Sequence, residues 1–333
     1  NAMKILITGA GGQDGVYLVR RILTSIPSAQ IFALSRNEVS FFNRLRLIGG
    51  NKLVEKFKLR SEFICCNVTE PAQITHQLDR IRPHSIFHLA AHLEPLLKPG
   101  DESKLLYENM NGLIYILEAC EHFQFSPHII NAGSSLMFGT VSGGIADEKT
   151  PFKPHSIYGI GKLTAHQFAD VFRTFKGQRV STAILFNHES ILRDERWLPM
   201  KIIMGAIRIK LGKADRLHLG SIDASRDWSS AEDIVDGLYA IMSENAVNED
   251  FVLGSGKVMK VSDLLDTVFT GLDLNWHDYV EVDDNHGRSN DHIGFAANIS
   301  KAKKLLNWEP RRAAPEWTSQ IKDFHLNLLG KNL

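Results

Sequence analysis

The first half of the chain alternates short apolar runs with longer amphipathic segments. The apolar runs have the length of strands, and the amphipathic segments repeat their apolar residues at the spacing of a helix. Strands that alternate with helices are typical of a doubly wound parallel sheet. The predicted strands are 4–8, 30–35, 62–67, 85–90, 128–133 and 181–186, and the predicted helices are 15–25, 70–82, 103–122 and 158–176.

This alternation stops after residue 186, since residues 187–228 show an irregular pattern. Further helices are expected between 229 and 249, near 261–272 and near 300–306, with a short strand at 250–253. We therefore predict an α/β protein with a Rossmann-type doubly wound parallel sheet and a smaller, discontinuous C-terminal substrate domain. The NADP-binding Rossmann domain comprises 3–186 and 229–253, and the substrate domain comprises 187–228 and 254–333. A mixed α+β fold is the alternative.

The composition and charge exclude several classes of protein. The chain has 333 residues, of which 44% are hydrophobic and 23% are charged, a composition typical of globular proteins. Lys plus Arg and Asp plus Glu both number 38, so no basic surplus indicates binding to nucleic acid or to an anionic membrane. No apolar run has the length of a transmembrane helix. We expect neither nucleic acid nor membrane as a partner.

The cysteines and histidines do not form a recognisable structural or metal site. Three cysteines cannot build a disulfide framework, and no second Cys/His pair completes a zinc ligand set. His88 and His92 have the spacing of a metal pair, but they lie at a predicted strand end without a third ligand. The sequence therefore predicts a cytoplasmic protein without a bound metal.

The segment that follows the first predicted strand is rich in glycine. A strand, a tight turn and a helix N-terminus in this order allow backbone N–H groups to approach a pyrophosphate, whose charge the helix dipole favours. Glycines also simply make turns, but this position at the start of a βαβ unit favours dinucleotide binding. The expected cofactor-binding residues of this turn are Gly9, Gly11, Gly12, Gln13, Asp14 and Gly15.

The end of the second predicted strand bears on the choice of cofactor. It has no Asp or Glu to bind a ribose 2′-hydroxyl, but it has Arg36, which can neutralise a 2′-phosphate. NADP is therefore favoured over NAD, unless Arg36 is merely an exposed loop residue. Other cofactor contacts are expected from the residues that end the third and fourth strands, Asn67, Val68, Leu89, Ala90 and Ala91.

Tyr158 and Lys162 are the most informative pair of residues in the chain. Residues four apart share one face of a helix, so the phenol and the ammonium can point into one cleft. A lysine cation lowers the pKa of a neighbouring phenol from about 10 towards neutrality. With the hydroxyl of Ser134 and a nicotinamide, this pair predicts redox chemistry between a carbonyl and an alcohol.

Together, these residues resemble an extended short-chain dehydrogenase/reductase of the NAD-dependent epimerase/dehydratase family. Longer stretches are most similar to its GDP-mannose 4,6-dehydratase branch, and they span almost the whole chain. These stretches are the Gly-Gln-Asp-Gly turn at 12–15, Glu-Lys-Thr-Pro-Phe at 148–152, Asn-His-Glu-Ser at 187–190, residues 219–228 and Asn-Trp-Glu-Pro at 307–310.

The resemblance implies a role for individual residues. Ser134, Tyr158 and Lys162 correspond to the catalytic residues, and Asn109 to the asparagine that supports the lysine. Besides Tyr158 and Lys162, the cofactor would contact His188 and Arg193. The residues that correspond to sugar-nucleotide contacts are Ser135, Asn187, Arg226 and Arg288. For Arg226, a surface ion pair with Asp227 is the alternative.

The resemblance also implies a homodimer or homotetramer, since family members commonly pair through helices that correspond to 103–122 and 158–176. Apolar residues on these helices could equally belong to the core of one subunit; they are Leu113, Ile116, Phe168 and Phe172.

One residue departs from the dehydratase pattern. The family carries Thr-Ser-Glu where this chain has Ser134, Ser135 and Leu136. A hydrocarbon side chain cannot transfer protons, and losing acid–base help costs about 100- to 10,000-fold in rate. The sequence therefore predicts an NADP-dependent 4-keto-sugar reductase or C4 epimerase that acts on a sugar nucleotide. The resemblance implies that this nucleotide is GDP-linked.

Two other functions remain open. The first is a 4,6-dehydratase whose base is relocated to His92, Glu94 or Glu189. The second is a non-catalytic NADP-binding scaffold or sensor, which would not need an activated phenol.

Overall fold

The computed structural model describes residues 2–92, 99–283 and 294–330. Its strands are β1 (Lys4–Thr8), β2 (Gln30–Ser35), β3 (Glu62–Cys65), β4 (Ser85–His88), β5 (His128–Ser134), β6 (Ile145–Ala146), β7 (Arg179–Leu185), β8 (Asn187–Glu189), β9 (Leu217–Leu219), β10 (Ser225–Arg226), β11 (Trp228–Ser230), β12 (Phe251–Leu253), β13 (Met259–Lys260), β14 (Val280–Val282) and β15 (Ala296–Ala297).

The helices alternate with these strands along the chain. They are α1 (Gln13–Ser25), α2 (Glu38–Lys58), α3 (Pro71–Ile81), α4 (Glu102–His122), α5 (Ile157–Lys176), α6 (Leu198–Lys210), α7 (Ala231–Ser243), α8 (Val261–Thr270), α9 (Ser300–Leu306) and α10 (Ala314–Gly330), with short 3-10 helices at Ser135–Met137 and Trp276–Asp278.

Seven parallel strands form the central sheet in the order β12-β7-β5-β4-β1-β2-β3. The chain first builds outward from β1 to β3 and then returns to β4, so the order reverses between β1 and β4. One hydrophobic cluster packs α1, α2 and α7 on one face of the sheet, and another packs α3, α4 and α5 on the other. The predicted Rossmann-type, doubly wound α/β fold is confirmed.

A third hydrophobic cluster lies outside the sheet. It draws its buried residues from α6, α8 and α10 and from the strands β9 and β11. Three tryptophans, Trp228, Trp276 and Trp317, are buried in it. These elements come from separate parts of the chain, so the smaller body has a core of its own that distant segments share.

The chain near residue 308 returns to the helix α7, beside the sheet. The indole of Trp308 donates a hydrogen bond to the carbonyl of Asp233 (2.9 Å) and packs in the first cluster. The Asp233 carboxylate accepts the backbone N–H groups of Arg311 and Arg312. A few residues later, α10 packs Trp317 into the third cluster, so residues 308–317 connect the two bodies.

Three helices were not predicted from the sequence, and each has a physical reason. In α2, Gly50 has a left-handed φ of 67°, and this kink interrupts the helical pattern. In α6, apolar side chains face most directions because the helix is largely buried, so its pattern lacks a polar stripe. The helix α10 buries only Trp317, Thr318 and Ile321, which is too sparse a pattern to predict a helix.

The strands β3 and β4 end two residues earlier than predicted. After β3, the side chain of Asn67 accepts the backbone N–H of Thr69 (3.2 Å), a local turn that leads the chain out of the sheet. After β4, Leu89 still donates to the carbonyl of Thr8, but Ala90 donates to the Thr8 hydroxyl instead of continuing the ladder. The side-chain bonds therefore end both strands.

Within the described ranges, no helix combines the length and the apolar character that a membrane crossing requires. The three cysteines are free: Cys65 is exposed, and Cys66 and Cys120 are buried.

Candidate active site

The glycine turn, residues 9–15, lies where the strand order reverses. Gly9 has a φ of +66°, and a Cβ there would lie 2.6 Å from the backbone nitrogen of Ala90. A Cβ on Gly15 would lie 2.6 Å from the Cα of Ala10. Because neither position has room for a side chain, backbone approaches backbone here, and the turn leaves the space that a pyrophosphate needs at the N-terminus of α1. A dinucleotide fits this arrangement.

The predicted neighbours of this turn surround it. Gly12 caps α1 and donates to the carbonyl of Gly9 (2.9 Å). The carbonyl of Gly11 accepts a hydrogen bond from Arg44 (2.9 Å). Leu89 and Ala90 follow β4 beside Gly9, while Ala91 is more exposed.

Gln13 and Asp14 connect the glycine turn to the segment after β7. Gln13 donates to the carbonyl of His188 (3.2 Å) and accepts from the hydroxyl of Ser190 (2.7 Å). Nε2 of His188 lies 2.9 and 2.8 Å from the two carboxylate oxygens of Asp14, and Nδ1 lies 2.7 Å from the carbonyl of Phe186. Both ring nitrogens of His188 are thus engaged, and the ring is fixed beside the turn.

The charges of this pair follow from the same contacts. Burial alone lowers the pKa of His188, but the Asp14 carboxylate outweighs burial, and the net pKa is raised. Burial alone raises the pKa of Asp14, but His188 and Arg193 outweigh it, and the net pKa is lowered. The two side chains therefore each stabilise the charged form of the other.

The helix α5 positions the tyrosine and the lysine. Ser156 caps the helix by accepting the N–H of Gly159 (3.0 Å). Tyr158 lies half-buried in the first turn, and the Lys162 ammonium lies 5.8 Å from the centre of its ring. Lys162 is buried and donates to the carbonyl of Ala132 on β5 (3.0 Å). The structure thus brings the phenol and the ammonium together, as their spacing predicts.

Burial lowers the pKa of Lys162 to about 8, and the negative charge of Asp14 acts against this shift. Burial also lowers the pKa of the neighbouring His88 to about 3, with a smaller effect of Lys162. His88 is therefore neutral, and its Nδ1 pairs with the hydroxyl of Thr8 (2.8 Å). The ammonium of Lys162 is the group next to Tyr158 that is poised to exchange a proton near neutral pH.

Ser134 ends β5 and faces the same edge of the sheet. Its hydroxyl oxygen accepts the backbone N–H of Leu136 (3.2 Å), which leaves its own proton to donate. The carbonyl of Leu136 packs against Gly159, where a Cβ would lie 2.6 Å away, so Leu136 is next to the turn that carries Tyr158. The side chain of Leu136 is 47% exposed. A hydrocarbon surface thus occupies the place beside the tyrosine.

Among the described residues, Asn109 supports the chain around Lys162 through its side chain, without a direct hydrogen bond to the lysine. Its side chain donates to the carbonyls of His92 and Leu105, both at 2.9 Å, and accepts the N–H of His92 (3.2 Å). Its Cβ packs on Gly161, where a Cβ would lie 2.9 Å away. Asn109 therefore holds the backbone after β4 against the helix that carries Lys162.

Glu189 and Arg193 form a second pair beneath His188. Nε of Arg193 lies 3.4 Å from Glu189 Oε2, but neither atom makes an aligned hydrogen bond among the described residues. Burial raises the pKa of Glu189 to about 7, although Arg193 and His188 oppose the shift. The Arg193 guanidinium also lies over the ring of Trp197 (4.1 Å). Only 2% of the Glu189 side chain is exposed.

Arg36 lies exposed after β2, beside an open groove of about 510 Å³ at the end of β3. The thiol of Cys65, which lines this groove, donates to the carbonyl of Arg36 (3.7 Å). Asn67 is half-buried next to it, and its N–H donates to Gln73, another lining residue. Val68 is buried in the second cluster. Arg36 and Asn67 are thus each hydrogen-bonded to a residue that lines this groove.

The expected sugar-nucleotide residues are spread over several elements. Ser135 is buried in the 3-10 helix after β5, and Asn187 begins β8. Arg226 lies half-buried in β10, next to β13, and donates to the carbonyl of Ser225 (2.7 Å). Arg288 lies outside the described residues, as do Glu94 and the rest of 93–98.

Asp227, the neighbour of Arg226, uses its carboxylate to bind backbone N–H groups. Asp227 is buried and accepts three backbone N–H groups, from Ser255 (2.8 Å), Gly256 (3.0 Å) and Ala297 (2.9 Å). The side chain of Asp227 thus connects residues 255–256 with residue 297.

The structure also shows a pair that the sequence did not predict. Nδ1 of His92 lies 2.6 Å from Glu108 Oε2, with 25% and 17% of the two side chains exposed. Glu108 is distant in sequence, on α4, and matches no motif, so no sequence signal could have identified it. Within the described ranges, no group of three His, Cys, Asp or Glu residues could hold a metal ion.

Of the apolar residues considered for a subunit interface, three belong to the core. Leu113, Ile116 and Phe172 are buried in the second cluster. Phe168 is 39% exposed, and Val171 and Phe175 on the same helix are 49% and 78% exposed. An apolar outer face of α5 therefore remains accessible in one chain.

Comparison with known proteins agrees with this arrangement. The model of the GDP-mannose 4,6 dehydratase family matches residues 6–321. GDP-mannose 4,6 dehydratase 2 of Arabidopsis thaliana is 32% identical over 333 residues, which cover 97% of this chain and 87% of the relative.

Solved structures with less than 25% identity share the fold. UDP-glucuronic acid 4-epimerase from Bacillus cereus, in complex with UDP-glucuronic acid and NAD, has a TM-score of 0.80 at 20% identity, with 98% of this chain and 100% of that chain covered. RMD from Pseudomonas aeruginosa, complexed with NADPH, has a TM-score of 0.78 at 17% identity, with the same coverage. The chain belongs to the GDP-mannose 4,6 dehydratase family, whose members are extended short-chain dehydrogenase/reductase enzymes.

Proposed function

We propose that this protein is an NADP-dependent 4-keto-sugar reductase or C4 epimerase that acts on a sugar nucleotide. The observation that supports it is that the Lys162 ammonium lies 5.8 Å from the centre of the Tyr158 ring, while Ser134, at the end of β5, is followed by the exposed hydrocarbon of Leu136 and not by a carboxylate. Hydride exchange at C4 needs the first three residues and a nicotinamide. Elimination of water needs a further proton carrier, which leucine cannot be.

The glycine turn supports a dinucleotide cofactor, since Gly9 and Gly15 leave a backbone-lined space at a helix N-terminus. Arg36 beside the open groove supports NADP over NAD, because a guanidinium pairs well with a phosphate. His188 and Arg193 would contact the same cofactor. When bound, the nicotinamide supplies or accepts the hydride at C4 of the sugar.

In this reaction, Tyr158 exchanges a proton with the oxygen on C4. The nearby ammonium of Lys162 stabilises the phenolate form, and its low pKa of about 8 allows it to pass a proton on. Ser134 donates a hydrogen bond to the same oxygen, because its own acceptor site is already used by Leu136. The three groups hold one oxygen and move one proton.

The substrate is proposed to be a GDP-linked sugar, because the relative from Arabidopsis is named a GDP-mannose 4,6 dehydratase. Arg226, with Ser135, Asn187 and Arg288, would bind the diphosphate and sugar, since guanidinium groups bind phosphates in a bidentate manner. In this proposal the sheet domain (3–186 and 229–253) binds NADP, and the smaller domain (187–228 and 254–333) binds the sugar nucleotide.

We also propose a homodimer or homotetramer in the cytoplasm. The outer face of α5, where Phe168, Val171 and Phe175 are exposed, supports pairing through this helix.

The test is an incubation of the protein with NADPH and either GDP-4-keto-6-deoxy-mannose or, with NADP⁺, GDP-mannose. We expect net NADPH oxidation and a reduced sugar with the ketone, measured by absorbance at the NADPH band and by mass spectrometry. Tyr158→Phe should lose at least about 100-fold in rate because it removes the proton donor. Its denaturation midpoint shows whether it folds as the wild type does.

Two outcomes would contradict the proposal. A ketone formed from GDP-mannose without net change of cofactor would show a 4,6-dehydratase, the second candidate, which the pairing of His92 with Glu108 favours. Tight NADPH binding without turnover of any sugar nucleotide would show a scaffold or sensor.

A further inference from the structure

The pair of His92 and Glu108 lies outside the machinery that hydride transfer requires. The Glu108 carboxylate is 2.6 Å from Nδ1 of His92 and also 4.0 Å from the ammonium of Lys104. A carboxylate beside Nδ1 favours the tautomer with the proton on that nitrogen, so Nε2 keeps its lone pair. Among the described residues, Nε2 makes no hydrogen bond. The ring therefore has one oriented nitrogen and one available nitrogen.

The backbone of His92 is held as firmly as its ring. Asn109 is 4% exposed, and its side-chain amide binds both the N–H and the carbonyl of His92. A third bond fixes the amide itself to the carbonyl of Leu105 (2.9 Å). Such double fixation of a loop residue, by a buried side chain and by an ion pair, is typical of a preorganised acid–base group.

The strand that leads to His92 ends at the same edge of the sheet as the strands that lead to the proposed reaction centre. β4, which leads to His92, lies between β1, which leads to the glycine turn, and β5, which ends at Ser134. All three strands are parallel, so their carboxyl ends meet at one edge. Asn109, which holds His92, also packs on Gly161 in the helix of Tyr158 and Lys162.

We propose that His92 is an acid–base residue that removes a proton from the carbon next to the C4 ketone, with Glu108 as its positioning residue. This inference rests on the proposed function, because it needs a 4-keto sugar. The C–H bond breaks, the proton moves to Nε2 of His92, and the electron pair forms an enolate whose oxygen Tyr158 and Ser134 hold. Return of the proton from the imidazolium to carbon completes the exchange, without an oxidant or reductant.

The proposal explains why the site can lack a carboxylate at position 136. Hydrogens next to a ketone are acidic, so a single base suffices to exchange them. The imidazole of His92 provides this base from the end of β4, whereas the family pattern provides it from the end of β5.

The experiment measures proton exchange and hydride transfer separately. Wild-type protein with NADP⁺ and GDP-4-keto-6-deoxy-mannose in D₂O should lose the NMR signal of a proton at C3 or C5 faster than a sample without protein. His92→Gln should slow this exchange at least about 100-fold, and Glu108→Gln about 10-fold. Added imidazole should restore part of the exchange in His92→Ala, which a structural role would not allow.

His218 provides the matched control. Its Nδ1 lies 3.2 Å from Glu281, but 73% and 55% of these side chains are exposed, so it is the same type of pair on the surface. His218→Gln should exchange at the wild-type rate. Denaturation midpoints of all variants identify any that do not fold. If His92→Gln does not fold, Glu108→Gln, which keeps the side-chain size, tests the role of the pair.

A parallel assay of NADPH oxidation with the same ketone separates the two proposals. NADPH oxidation without exchange in the wild type, or equal exchange in wild type and His92→Gln, overturns the role of His92 and leaves the reductase intact. Exchange without NADPH oxidation supports His92 and overturns the reductase. The absence of both activities overturns both proposals.

Discussion

The two histidine–carboxylate pairs His188–Asp14 and His92–Glu108 differ in the ring nitrogens that they leave available. His188 uses both ring nitrogens, one on the carbonyl of Phe186 and the other on Asp14. Among the residues that the structure describes, His92 uses only Nδ1, on Glu108. Both pairs are mostly buried, with no side chain more than 25% exposed. The difference lies in the number of partners rather than in the exposure.

This difference distinguishes a structural histidine from a chemical one. A ring with both nitrogens bound has no place for a substrate proton, but it connects two segments that are 174 residues apart in sequence. A ring with one free nitrogen contributes less to stability and can accept a proton. Counting the partners of each nitrogen therefore indicates the role better than burial does.

The largest expected effect tests this distinction through stability. Asp14→Asn should lower the free energy of unfolding by about 2–3 kcal/mol, somewhat less than for a fully buried ion pair, because His188 can lose its proton. Glu108→Gln should cost about 1 kcal/mol, because it removes one contact. Urea denaturation of both variants measures the two values. Equal costs would contradict the distinction.

The next effect tests whether a carboxylate at position 136 can supplement the pair of His92 and Glu108. Leu136→Glu introduces a carboxylate next to Tyr158 at a position that is 47% exposed, so it should fold normally. We expect conversion of GDP-mannose to its 4-keto product to rise at least about 10-fold, since a second proton carrier is then present. Mass spectrometry of the product measures it.

Leu136→Gln is the matched control, with the same size and polarity but without a transferable proton. A gain in this variant equal to that of Leu136→Glu would show that polarity, and not proton transfer, limits the reaction.

The smallest expected effect is the pH dependence of the stability that the pair of Asp14 and His188 provides. The pKa of Asp14 is lowered, so its contribution is present above about pH 4 and is lost as pH falls through the folded value. The pKa of His188 is raised, so its contribution is present below about pH 6.5 and is lost as pH rises through the folded value. Both contributions coexist between these limits.

The difference in unfolding free energy between wild type and Asp14→Asn should therefore be greatest near pH 5.5. We expect it to become smaller as the pH rises to 9, because the contribution of His188 is lost when the ring releases its proton. Denaturation curves at the two pH values test this, and a difference that grows towards pH 9 would refute the charged pair.

The sequence predicted the sheet and the catalytic helix because their signals are local. Tyr158 and Lys162 need only a helix to share a face, and Gly9 needs only the turn after β1. The partners of His92 and Asp227 could not be predicted, because Glu108 and Ala297 are brought to them by the fold. Asn109 illustrates the limit: its position was found by likeness, but its bonds depend on where the chain after β4 runs.

The segment 308–317 has a consequence for how the molecule is made. Trp308 completes the packing on α7, and Trp317 completes the core of the smaller body. During synthesis, the first six strands of the sheet can pair while the ribosome is still translating, since domains fold as their segments emerge. Neither hydrophobic core is complete until this short stretch has been synthesised. A premature stop codon near residue 306 would therefore release a chain with two incomplete hydrophobic cores. Chaperones and proteases would recognise this chain, and it would not be a smaller enzyme.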